Sequence, residues 1–174
     1  MVAVTAAPRA TPKRANELTL ARLRPGRDTL VTAKSFYGEK RRSISPDDPN
    51  VWTWQDECRK RSLRLEADGQ GIIQVLTVSE EEPQGDCRAH PGEPGAAGSW
   101  RTGKSLTLGD PRARVVDIYG SPNSVSPSLR GSRELELLFY AFDWAGVDVP
   151  QVMEVTCDRA SGRVVEITLS SPSL

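Results

Sequence analysis

Polar and apolar residues alternate along several short stretches of the chain. Leu63 and Leu65 alternate with polar neighbours in SLRLEA (62–67), VWTWQ (51–55) has the composition of a strand, and GIIQVLTVS (71–79) follows the turn signal Asp68-Gly69. Further on, LELLFYAF (135–142), QVMEVT (151–156) and RVVEITLS (163–170) read the same way, with a hairpin turn from Asp158 to Gly162. Such alternation sends successive side chains to opposite faces and predicts antiparallel sheet. Two other stretches have helical spacing. Leu30, Ala33 and Phe36 with Tyr37 form a stripe stopped by Gly38, and Val115, Ile118 and Tyr119 form one stopped by Gly120. Asp110 is placed to cap the second helix, with Pro111 at its first position. Both helices are too short to persist alone and must lie on the sheet.

The pattern occurs twice. DTLVTAKSFYG (28–38) matches DPRARVVDIYG (110–120), SISP (43–46) matches SVSP (124–127), and GIIQVLTVS (71–79) matches GRVVEITLS (162–170). The openings LTLARLRPGRD and LTLGD align as well. The prediction is an α+β fold of two tandem repeats, each a short helix (or two) packed on an antiparallel meander of three to four strands. The repeats span 17–82 and 100–174. A linker rich in Gly and Pro occupies 83–99, and 1–16 forms a disordered polar tail. One sheet face takes the helices and the other faces outward.

GSWRTGKS (98–105) fits the phosphate-loop template G-x-x-x-x-G-K-[ST]. That loop works only between a buried strand and a helix whose N-terminal N–H groups cradle the phosphates. Here CRAHPGEPGAAG precedes it with no apolar run, and Gly109 and Pro111 follow within the span a helix would need. The segment reads instead as the lead-in to the second helix. G-x-S-x-G is absent, and the single histidine, His90, leaves one possible base for a triad. The carboxylates of Asp47-Asp48 and Glu80-Glu81-Glu82 lie in polar loops, with nothing to hold them opposed across a cleft. The reading is therefore of no enzyme, with no catalytic residues, cofactor or metal.

Acidic and basic residues number 23 each, which is not the concentrated basic balance of a nucleic-acid-binding protein. Lys40-Arg41-Arg42 and Arg59-Lys60-Arg61 read as solvated runs or contacts for an acidic partner. No apolar run reaches the roughly 18–20 residues of a transmembrane helix. The Ala-, Thr- and Pro-rich start resembles the stretch that follows a removed signal peptide, giving a periplasmic or secreted protein as the expectation. Of three cysteines, Cys58 precedes strand 62–67 and Cys87 follows strand 71–79, at the same end of one hairpin. A Cys58–Cys87 disulfide is expected, which implies an oxidising compartment. Cys157 alternates with Met153 and Val155 and reads as a buried free thiol.

A helix with a Tyr-Gly stop followed by proline and three antiparallel strands, in GDPRARVVDIYGSP (109–122), LELLFYAFDW (135–144) and VMEVTCDRASGRVVEITL (152–169), resembles the SmpA/OmlA outer-membrane assembly lipoprotein unit. Two such units in tandem resemble the β-lactamase inhibitor protein fold. The resemblance implies an envelope or secreted binding protein without a catalytic centre. No lipobox cysteine stands near the start, so a lipid anchor is not expected.

Two aromatic sets are candidates for contact with a partner. Trp52 and Trp54 share one strand face, and Tyr140 and Phe142 share another with Leu138 and Trp144. Aromatics on an outward face suit protein recognition; the other reading makes them core beneath the helices. WAGVDVPQ (144–151) is a contact loop or a passive insertion. The expected function is non-enzymatic binding of another protein, inhibitor-like or envelope-assembly-like. The alternative is a small-molecule or cell-wall ligand on the same concave surface.

Overall fold

The computed structural model describes residues 16–38, 49–56, 58–81, 100–142 and 151–171. The elements in chain order are α1 (Leu30–Tyr37), β1 (Val51–Asp56), β2 (Arg61–Ala67), β3 (Ile73–Glu80), α2 (Arg112–Tyr119), β4 (Ser124–Arg130), β5 (Arg133–Ala141), β6 (Val152–Asp158) and β7 (Val164–Ser170). The strands form one seven-stranded antiparallel sheet in the order β1-β2-β3-β7-β6-β5-β4. The α+β class stands, and the two meanders are joined edge to edge where β3 pairs with β7. SVSP lies within β4, a strand that the alternation did not predict. The expected tail, the 83–99 linker and SISP fall outside the described residues, apart from Asn16 at the end of the tail.

Strand register makes the two faces unlike. Trp52, Leu65, Leu76, Leu169, Met153 and Tyr140 pair in turn across six strands. Beside them run Trp54, Leu63, Val78, Ile167, Val155 and Leu138, and all twelve are buried. Ala33 of α1, Val115 and Tyr119 of α2, and Leu20, Leu23, Trp100 and Leu106 from the segments leading into the helices join them in one core. Fully burying a side chain of this size contributes about 1.5–3 kcal/mol, which is what holds two eight-residue helices in place.

The helix ends differ in part from expectation. Gly38 and Gly120 stop the helices in the left-handed region, at φ 80° and 78°, and their N–H groups donate to Lys34 O and Val116 O. Asp110 does not cap α2. Pro111 occupies that position, and the Asp110 carboxylate accepts from Thr107 N–H in the approach (3.0 Å). Thr29 caps α1, its hydroxyl accepting from Thr32 N–H. Phe36 leaves the predicted stripe and is 39% exposed, with the Arg22 guanidinium 4.5 Å above its ring.

The two halves make corresponding hydrogen bonds. Asp28 O accepts from Ile73 N–H and Asp110 O from Val164 N–H, both at 2.9 Å. Gly38 O accepts from the Trp54 indole (3.1 Å), and Gly120 O from the Tyr140 hydroxyl (3.0 Å). Asp68 and Asp158 each fold a carboxylate over the hairpin that follows, accepting from Gln70 and Ile72 in one and from Ala160 and Ser161 in the other. The approaches to the helices meet at Leu20 and Thr102. There Ala21 N–H donates to Arg101 O and Gly103 N–H to Thr19 O, both at 3.0 Å.

Candidate functional site: the concave sheet face

The face away from the helices is polar at its centre. Thr53, Arg64, Thr77, Thr168, Glu154, Phe139 and Ser124 pair in turn across all seven strands. Thr53 is buried at one end and Ser124 exposed at the other, and the five between are half-buried. Thr77 and Thr168 share a hydrogen bond between hydroxyls at 3.0 Å, and Ser62 and Ser79 share another at 3.1 Å. Leu137 and Phe139 of β5 add half-buried apolar surface. No described helix packs on this face.

Ion pairs show how this face curves. Arg130 on β4 bonds Glu166 on β7 at 2.8 Å. Three inter-strand steps separate them, and Ser126, not Arg130, is the β4 residue in the row of Glu166. On a flat sheet that diagonal is roughly 19 Å, more than the two side chains reach. The sheet therefore curls toward this face, which is concave, while the helices sit on the convex side. Arg133 binds Asp158 at 2.7 Å and reaches Glu80 on β3 at 3.4 Å. The Arg133 guanidinium, followed by backbone N–H donors, holds the Asp158 carboxyl below the usual aspartate range. The Arg64–Glu66 pair (2.9 Å) lies farther along.

The aromatic candidates divide clearly. Trp52, Trp54, Tyr140 and Phe142 are all buried, at 8%, 5%, 0% and 1% exposure. The expectation of an outward aromatic surface is corrected for these four. They share register rows or a strand face with the leucines beneath the helices, and their rings pack on one another and on Tyr37 and Tyr119. Trp144 lies outside the described residues, as do Cys87 and His90. Sequence reasoning missed Thr77, Glu154 and Thr168. The usable signal was the polar phase of each alternation, since the leucine phase of β2 fixes which face is core.

The phosphate-loop look-alike has a different occupant. The backbone N–H groups of Gly103 and Lys104 each donate to the Glu17 carboxylate at 3.1 Å. Leu18 and Thr19 N–H donate to the same group at 2.9 and 3.1 Å, and the buried Tyr119 hydroxyl donates at 2.6 Å. The turn thus holds an anion, but the anion is the chain's own buried side chain. Helix α2 begins only at Arg112, so this turn does not open a helix as a phosphate loop does. Burial, and then the Glu17 charge, raise the Tyr119 pKa well above the normal tyrosine range. Glu17 was not singled out in the sequence because its donors come from residues far along the chain.

Cys157 is a buried free thiol, pushed up to about 11 by burial and then by the Glu136 carboxylate. At neutral pH it is protonated and a poor nucleophile. Glu136 pairs with Arg112 of α2. No helix is long and apolar enough to cross a membrane, among the described residues.

Two solved structures are similar to this chain. A DUF4309 family protein, YjgB, from Bacillus subtilis gives a TM-score of 0.50 at 9% identity, covering 90% of this chain and 88% of that one. A candidate beta-lactamase inhibitor protein from Streptococcus mutans gives 0.33 at 13% identity, covering 90% and 91%. The first shows a shared fold and no more; the second is too distant in shape to add to it. No family model and no curated protein matches the chain.

Proposed function

We propose that this chain is a non-enzymatic, periplasmic or secreted module that binds another protein on its concave sheet face, in an inhibitor-like or envelope-assembly-like role. One observation carries the reading: the concave face is a rigid, antiparallel surface of hydroxyls, aliphatic groups and paired charges that no described helix covers. A sheet held in register by six strand pairings loses little freedom on binding, which favours a flat or convex protein partner. Ser124, Ser126 and Ser128 extend this face to the exposed edge strand β4.

The two halves are tandem copies of one helix-plus-meander unit. The paired hydrogen bonds at Asp28 and Asp110, Gly38 and Gly120, and Asp68 and Asp158 support this, as do the matched sequence segments. Cys58 and Cys87 form a disulfide that staples the β2–β3 hairpin. Of the two described cysteines, Cys157 is free and Cys58 is not. Arg61 pairs with Glu80, so the chain before β2 and the chain after β3 leave the sheet together. An oxidising compartment follows from such a bond.

The test is a comparison of retained material. Wild-type and Thr168→Arg proteins are immobilised and offered the soluble envelope and secreted fractions of the source cells. A protein held by the wild type and lost with Thr168→Arg supports the reading. Retention of only a glycan or small molecule favours the second reading, a wall-ligand or small-molecule binder on the same face. Equal retention by both proteins removes the face from the account. Peptide mapping of the unreduced chain checks the Cys58–Cys87 bond.

A further inference from the structure

The charges on the concave face indicate what kind of group docks there. Four carboxylates and three guanidiniums lie on it by strand register, and Glu80 at the end of β3 also reaches Arg133. Arg64 is paired with Glu66, Arg130 with Glu166 and Arg133 with Asp158, at 2.9, 2.8 and 2.7 Å. Glu154 is left over. It is half-buried in the central row between Thr168 and Phe139, and no ion-pair or hydrogen-bond partner is found for it among the described residues. An acidic ligand would meet guanidiniums that are already neutralised. A basic one would meet a carboxylate that no described residue pairs, set where the surrounding surface is partly desolvated.

The surroundings narrow the partner further. Phe139 is directly opposite Glu154 on β5, and Leu137 follows on the same face. On the other side the Thr168 hydroxyl is shared with Thr77. The site therefore offers one negative charge with apolar surface on one flank and hydroxyls on the other. We propose that the concave face recognises a partner protein through an exposed basic side chain, Arg or Lys, that pairs with Glu154 while an adjoining aliphatic residue packs on Phe139 and Leu137. This rests on the reading that the face docks a protein, and it adds the chemistry of the contact.

The test uses two defined probes, N-acetyl-Leu-Arg-Leu-amide and N-acetyl-Leu-Glu-Leu-amide, titrated into isotope-labelled protein and followed by amide NMR shifts. The arginine probe is expected to shift the amides of Phe139, Glu154 and Thr168 saturably, and the glutamate probe to leave them in place. Glu154→Gln, which keeps the shape and removes the charge, should weaken the arginine probe by about threefold to fivefold, as loss of one partly exposed ion pair predicts. An unchanged spectrum away from the face confirms that the variant is folded. Equal binding of both probes, equal binding to Glu154→Gln, or no shift on this face each overturns the proposal. If one of these occurs while Thr168→Arg still abolishes retention of a protein, the docking reading survives and the basic-group proposal alone fails.

Discussion

The two faces of this sheet have the same strands, the same register and opposite chemistry. The convex face carries Trp52, Trp54, Tyr140 and the leucines of β2, β3 and β7, all buried beneath two short helices. The concave face carries threonines, serines, paired charges and Glu154. Large aromatics in alternating strands are attractive as recognition elements, yet here they are what the short helices need as a floor. The concave surface is left to the plainer residues in between, and the proposed docking falls to them. If this division is right, substitutions on the two faces should separate stability from recognition.

The largest losses are expected on the convex side. Trp54→Ala or Tyr140→Ala should cost about 3–5 kcal/mol, the range for deleting a buried aromatic ring, measured by urea unfolding. In each, a glycine carbonyl at a helix stop also loses its donor. A loss below about 1 kcal/mol, the size of surface substitutions, would break the comparison.

Next comes the Glu17 cluster beneath the helix approaches. Glu17→Gln removes the charge accepting from Gly103, Lys104 and Tyr119, and about 1–3 kcal/mol should be lost. Tyr119→Phe made on top of Glu17→Gln should cost less than it does alone, because the two side chains share one hydrogen bond.

A smaller, pH-dependent effect belongs to Asp158. Its carboxyl is held below the normal range in the folded state by Arg133, so it contributes stability above the ordinary aspartate pKa. That contribution is lost as pH falls through the lowered folded value. Asp158→Asn should therefore be less stable than wild type at neutral pH and converge with it in acid, as followed by unfolding at a series of pH values. The smallest stability change is expected from Thr168→Arg on the concave face, within about 1 kcal/mol, although it is the variant expected to abolish retention of a partner.

Much of the fold was legible because alternation and glycine stops are local signals. Gly38 and Gly120, the Asp68 and Asp158 turns and six of the seven strands could be read directly. The merging of two meanders was less legible, since β3 meets β7 through a pairing between segments far apart in the chain. The site was read least well. Trp52 and Trp54 drew attention by residue type, whereas their place in rows with Leu65 and Leu63 decided their role. Glu154 could not be singled out from sequence, because what distinguishes it is that the neighbouring carboxylates have arginine partners from other strands.

The most direct measurement of the division between faces is photo-crosslinking in the source cells, with the reactive residue placed at Thr168 on the concave face or at exposed Asp117 on α2. One protein should be joined specifically from position 168 and not from position 117. A protein joined from 117 alone, or equally from both, would contradict the claim that the concave face is the docking surface.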